Sequence, residues 1–484
     1  MPANTSQIAS LRRSVGLEKD LEILESHAFH LDVFCSVCCS GFKVSKTSHA
    51  SEHVKTAKHE KGIELSKPKQ QQLRLHPKKK LKEDSFNFDL ADAWISAGLP
   101  LKSLSDEKLR SFLETNFSRV LPSPSTLATT YSDWAYQSKY DNLKEKVSSF
   151  DNYYISFDET EFRGEKYYSF LIGELSASGV NRPYLIETTR ELESPNTEMV
   201  QQKLMKILSN FQLVSDFDKF RLFMTDAASY NILAAKNLKS FFPKMIHVTC
   251  YTHLLSRVCN EIAEKNEAAN EVVKFVKKVF EKCARRREEW LEFKVGNTPF
   301  PSPVKTRFGT WLKSVVFVSR NWITLKSYLE TIKDSNAAKN ALRFMKSQNT
   351  LNEVAEVASL EFLVNLISVS EARDFTIVKA VKQIETIVEK LVDLKETGNK
   401  TADAALTKFT KILDKNRGIT DVKLKATGEN IEEPSEMAIY AFAPATSIDV
   451  ERFFSVLKAF LEDRPCILEK TVDKLMFVRY NQHI

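Results

Sequence analysis

Glycine is scarce, with 12 among 484 residues. That argues against a fold organised around glycine-rich phosphate loops and for a largely helical chain. Long apolar runs are missing too. None approaches the roughly 18 residues that a membrane helix needs. No basic stretch followed by an apolar run stands near the start, so neither a signal peptide nor a membrane partner is expected. The cysteines number seven, an odd and scattered set. Reduced thiols in the nucleus or cytosol are expected, used for metal binding or packing.

What is present suits a folded chain of several domains. Apolar residues make up 43% and charged residues 27%, ordinary values for a protein with a buried core. The formal net charge is +7. A mild basic excess favours a polyanionic partner and says nothing about fold.

Residues 1–24 are polar and read as a disordered N-terminus. Residues 25–64 hold His27, His30, His49, His53 and His59, five of the nine histidines, with Cys35, Cys38 and Cys39. Residues 65–84 read as a polar, basic linker, too poor in large apolar side chains to pack. Residues 85–150 show helical period, with a helix expected to begin at Asp106. From 151 to 265 short aromatic and β-branched runs alternate with helical ones, in the order β-β-β-α-β-α-β-α. That is the order of a ribonuclease-H-like fold. Residues 266–440 are helical by period without a strand signal of any strength. Residues 441–484 read as two amphipathic helices divided at Arg464-Pro465.

Cys35-x2-Cys38 and His53-x5-His59 are separated by fourteen residues. Two thiolates from a tight knuckle and two imidazoles from one helix make a closed tetrahedral zinc site. The six-residue step between histidines exceeds a helical turn, so the helix should bend or loosen near His59. This segment resembles the single fingers of matrin, U1-type and CGG triplet repeat-binding proteins, which implies nucleic-acid binding. Lys78, Lys79 and Lys80 would add phosphate contacts or serve nuclear import. Their plainer reading is a solvated linker.

Asp158 lies near the end of the first strand of the α/β run, in YYISFDET. Asp226 ends the strand RLFMTD. On neighbouring parallel strands the two carboxylates stand together and repel unless a cation lies between them. Mg²⁺ is the natural guest, since it takes oxygen ligands and keeps waters for substrate phosphates. Singly, each Asp also reads as a strand-end residue capping the next element, and Asp226 before ASYN suits that role. Glu159 and Glu161 crowd Asp158 and compete with it.

The stretch MTDAASYNILAAKNLKSFFPKMIHVTCYTHLLSRV resembles the second-Asp region of hAT-type transposases, in which a strand leads into Cys-x2-His, here Cys250 and His253. The segment SIDVERFFSVLKAFLEDRPCILEKTVDKLMFVRYN is similar to that family's C-terminal motif, matched by Ser447, Glu451, Arg452, Phe454 and Ser455. AGLPLKSLSDEKLRSFL and LPSPSTL resemble the region before its core. The resemblance implies an α/β ribonuclease-H-like core interrupted by an all-α insertion domain, with a small N-terminal zinc finger. It implies Asp158, Asp226 and Glu451 as a Mg²⁺-binding catalytic triad that cuts and joins DNA in the nucleus. It implies an intertwined helical region over 85–150 and a homodimer or larger oligomer through 441–484. Where the family has Thr-Arg-Trp, this chain has Thr306-Arg307-Phe308, an expected DNA contact with a smaller stacking face. Cys250 and His253 are expected to be structural or to touch DNA, because no second ligand pair follows at zinc spacing. Phe453, Phe454 and Phe460 are expected in a core or a dimer interface. The rival expectation is a domesticated, catalytically silent DNA-binding transcription regulator, which Phe308 and the short helical insertion favour.

Overall fold

A computed structural model describes residues 5–18, 21–26, 30–35, 37, 40–57, 59–60, 85–191, 194–281, 283–293, 298–304, 309–429, 431, 434–464, 467 and 469–484. The chain divides into two compact units, Met1–Leu90 with Pro195–Gln212, and Ala91–Ser194 with Leu213–Ile484.

The first unit carries a three-stranded antiparallel sheet, β1 (Leu21–Ser26), β2 (Leu31–Cys35) and β3 (Ser40–Val44), in that order. A helix precedes it at Thr5–Gly16 and another follows at Ser48–His53. Residues 5–16 were expected to be disordered and are helical instead. The reason is a short amphipathic spacing, Ile8, Leu11 and Val15, which places one apolar stripe against Leu31, Val33, Val44 and Ala50.

The second unit is a mixed α/β assembly. β4 (Tyr153–Phe162), β5 (Glu165–Ser176) and β7 (Tyr184–Glu191) form an antiparallel meander, with the two-residue β6 (Gly179–Val180) on β5. β8 (Phe220–Thr225) runs parallel to β4, and β9 (Ile246–Thr249) parallel to β8. The main strand order is thus β7-β5-β4-β8-β9. Antiparallel strands close through short turns, here with Gly164 at φ 79°, whereas each parallel step needs a crossover helix. The helix Ser229–Leu238 makes the step from β8 to β9.

From Tyr251 to Ala441 the described residues form helices and no named strand. Their apolar faces share one large core that includes Val272, Trp290, Phe375 and Phe409. The chain then returns to the sheet. In the helix Ile448–Glu462, Val450, Phe453, Phe454, Leu457, Phe460 and Leu461 recur at three and four residues, and all are buried. They pack with Tyr167, Leu171 and Leu185 of β5 and β7 and with Met476 of the helix Glu469–Tyr480. The phenylalanines that the sequence allotted to a core or a dimer interface are therefore core.

Both edge strands are closed by a buried asparagine. At β9, Asn416 accepts from Thr249 N at 3.2 Å and donates to Thr249 O at 2.9 Å. At β7, Asn481 accepts from Leu185 N at 3.0 Å and donates to Leu185 O at 2.8 Å. A side-chain amide thus supplies the donor and acceptor of a missing strand. Gly418 allows the helix Arg417–Ala426 to approach β9, since a Cβ there would sit 1.8 Å from the His247 carbonyl oxygen. Asn481→Ala strands two buried backbone groups at about 1–3 kcal/mol each. A fall of the urea midpoint by about 2–6 kcal/mol equivalent is expected; an unchanged midpoint would show that β7 does not need the closure.

Candidate functional site

In β4, successive side chains alternate between faces. Asp158 lies opposite Ser169, on the face of Ser156, Leu171 and the helix Ile448–Glu462. Glu159 lies on the other face, where it hydrogen-bonds Tyr230 of the crossover helix. Glu161 is exposed. The choice among the three carboxylates, open in the sequence, is therefore decided by the pleat. β4 continues to Phe162 in its pairing with β5, so Asp158 lies mid-strand rather than near the strand's end. It stands where the β8 pairing stops.

Continuing the β4–β8 register beyond Ser156↔Met224 sets Asp158 beside Asp226. Asp226 does not cap the helix Ser229–Leu238, whose N-cap is Ala228; one of its oxygens instead accepts from Ala228 N at 3.0 Å and Asn231 Nδ2 at 2.7 Å and so holds the turn before it. Glu451 stands in the first turn of Ile448–Glu462. Ser447, just before that helix, does not cap it. Its hydroxyl instead donates to Asp158 Oδ2 at 3.3 Å, and its N–H donates to Cys250 Sγ at 3.3 Å. Arg452 bonds Asp449 at 3.0 Å and the Glu371 carbonyl, while Arg373 pairs with Asp449 at 3.1 Å. Arg452 therefore tethers the helix that bears Glu451, and Phe454 buries its opposite side.

His253, which the sequence assigns to a structural or DNA-contact role, joins the carboxylates. Cys250 precedes the helix Tyr251–Lys265, and His253 sits in its first turn. Ligand atoms of Asp158, His253 and Glu451 all lie within 4.8 Å of one another. His253 Nε2 is 3.6 Å from Glu451 Oε1. Asp226 is not in that group, although its charge reaches Asp158. Sequence spacing could not reveal His253, because its companions come from β4 and the last part of the chain.

The electrostatics follow from burial. Asp158 is 4% exposed. Burial pushes its carboxyl well above the usual range, against the pull of His253, and Glu451 and Asp226 push it further. Burial opposes charge on His253 too, but Cys250, Asp158 and Glu451 outweigh it and hold the imidazole at about 10. Burial raises the Cys250 thiol, yet His253 beside it brings it down to about 7. Nearby His247 is pushed down to about 4 by burial and contacts Thr225 Oγ1 at 2.9 Å.

In the first unit, ligand atoms of Cys35, His53 and His59 also lie within 4.8 Å of one another. Cys35 Sγ is 3.3 Å from His59 Nδ1, and both residues are buried. The helix ends at His53. Thr56 then bonds the His53 carbonyl at 2.8 Å and accepts from His59 N at 3.3 Å, which turns His59 back toward Cys35. His53 stacks on Phe42 at 4.1 Å. One sulfur and two imidazoles are a donor set suited to zinc. Cys38 lies outside the described residues, as do Lys78, Lys79, Lys80, Arg307 and Phe308. Trp311, close by in sequence, is half-buried.

No protein family's sequence profile matches the chain, and no curated protein is a significant match to it.

Proposed function

We propose that this chain is a hAT-like transposase, or a nuclease derived from one, that cuts and joins DNA in the nucleus on a ribonuclease-H-like core. The observation that carries the reading is the meeting of Asp158 with Glu451 where the β8 pairing ends, with Asp226 next in register. The strand order and the return of the chain's last part to the sheet support it. So does Ser447-x3-Glu451-Arg452, whose serine holds Asp158 and whose arginine holds the helix.

Asp158 and Glu451, with Asp226 beside them, would hold divalent cations, Mg²⁺ in the simplest form. A bound cation supplies activation of the attacking water and charge stabilisation at the scissile phosphate. The chain's own groups position and polarise. Ser447 and the Glu159 N–H, the latter at 2.9 Å, fix the Asp158 carboxylate. In the first unit Cys35, His53 and His59, with Cys38, would hold structural zinc and present the finger to DNA. Self-association through 441–484 would have to use surfaces other than the buried phenylalanines.

The test is nicking of DNA carrying the gene's own flanking repeats, with Mg²⁺ or Mn²⁺. Asp226→Asn should lower nicking by about 10²-fold or more. Unchanged nicking in that variant would remove Asp226 from the site.

One observation favours a second reading, a non-cleaving DNA-binding regulator. Protonated His253 lies against Glu451 and beside Asp158, so the carboxylates are compensated without a cation. That reading predicts salt-dependent DNA binding, no nicking with either cation, and a single gene copy without flanking inverted repeats.

A further inference from the structure

We infer that His253 is itself a metal ligand, and that Asp158, His253 and Glu451 form a two-carboxylate, one-imidazole centre that prefers Mn²⁺ or a later transition cation to Mg²⁺. The inference rests on the reading of this sheet edge as a cation site and alters its chemistry. Ligands at about 2.1 Å from one ion lie roughly 3–4 Å apart. The 3.6 Å between His253 Nε2 and Glu451 Oε1 falls in that range, and the 4.8 Å bound on the whole group needs only side-chain adjustment.

The surroundings are those of a supported ligand set. Asp158 is buried, and each of its oxygens already has a partner, Glu159 N on Oδ1 and Ser447 Oγ on Oδ2. Cys250, just before the same helix, lies beside His253 and accepts from Ser447 N. Such outer contacts orient first ligands and commonly tune affinity by about 10–100-fold. One oxygen of Asp226, by contrast, is engaged in holding its own turn. An all-oxygen set suits Mg²⁺, whereas an imidazole shifts preference along the series toward Mn²⁺ and later ions.

The fold explains why the imidazole arrives here. β9 pairs with β8 through Thr225↔Thr249, so the chain leaves β9 beside Asp226. Cys250 N then donates to the Thr225 carbonyl at 2.8 Å, and Tyr251 N to the Ala445 carbonyl at 3.0 Å. These two bonds pin the start of the histidine's helix to β8 on one side and to the segment before Ser447 on the other. His253 is thereby held between the strand and helix that carry its two carboxylate companions.

The test is Mn²⁺ binding to the full chain loaded with one equivalent of zinc for the first unit and freed of excess zinc, followed by electron paramagnetic resonance. The expected result is a bound Mn²⁺ with nitrogen modulation from one imidazole. In His253→Gln the modulation should vanish and affinity should fall at least about tenfold. His247→Gln should keep both, and circular dichroism should show each variant folded. Mg²⁺ should displace Mn²⁺ only at roughly 100-fold higher concentration. Bound Mn²⁺ without nitrogen modulation, or unaltered binding in His253→Gln, overturns the inference. If nicking with Mg²⁺ then survives in His253→Gln, the strand-cleavage reading stands without it. If no Mn²⁺ binds, or Asp158→Asn leaves binding unchanged, the cation-site reading falls as well.

Discussion

Asp158→Asn should lower cation-dependent strand nicking by about 10³-fold or more, yet leave the metal-free fold at least as stable as the parent at pH 8. The first half follows from losing the carboxylate at the centre of the site. Metal-assisted charge stabilisation is worth several kcal/mol, and each 1.36 kcal/mol is about tenfold in rate. The second half follows from burial. The Asp158 carboxyl is raised above its ordinary value, so the folded state disfavours its charge. The stability this group contributes is fully present below its unfolded pKa and is lost as pH rises through the raised folded one. Asparagine keeps the shape and removes that loss. His253 adds a second dependence of the same sign, present below 6.5 and lost as pH rises through about 10. The check is a nicking gel beside thermal melts of metal-free protein from pH 5 to 8. The variant's melting temperature should gain on the parent's as pH rises. A variant that melts well below the parent across that range would mark Asp158 as a structural partner of His253 rather than a group poised for a cation.

Removing metal from the first unit should unfold its sheet and leave the larger sheet intact. The described core behind that sheet is six buried side chains, Leu11, Val15, Leu31, Val33, Val44 and Ala50, with Ile8, Leu21, Ile23 and Phe42 partly buried against them. A core of that size rarely offsets the entropy of ordering the chain. Structural zinc in small fingers contributes about 10–16 kcal/mol of apparent binding energy. Chelation, or Cys35→Ser, should therefore abolish hydrogen-exchange protection over 21–44 while β4 and β5 stay protected. DNA affinity should fall with it and lose much of its salt dependence. Retained protection over 21–44 after chelation would show that the helix Thr5–Gly16 is enough to hold this sheet.

These expectations draw unequally on sequence and structure. Composition argues against a membrane helix and against glycine-rich phosphate loops, and among the described residues no helix is long and apolar enough to cross a membrane. Local period was enough to order the strands and helices between 151 and 265, because period-2 and period-3.6 patterns are properties of neighbouring residues. The same holds for Cys35, His53 and His59, whose partners lie within one short segment. The helix Thr5–Gly16 is not legible in the sequence, because its three-residue stripe gains meaning only once β1–β3 stand behind it.

The site at the sheet edge divides the same way. Asp226 is legible as a strand-end aspartate, and Glu451 through the motif around it. What only the tertiary structure decided is which of three crowded carboxylates on β4 faces Glu451, and that His253 belongs with them. Adjacent strand residues point to opposite faces, so one step along the chain separates Asp158 from Glu159 by the thickness of the sheet. His253, in turn, meets companions from β4 and from the last part of the chain. A contact that depends on how distant segments pack leaves no periodicity in either segment, and so it became visible only in the folded chain.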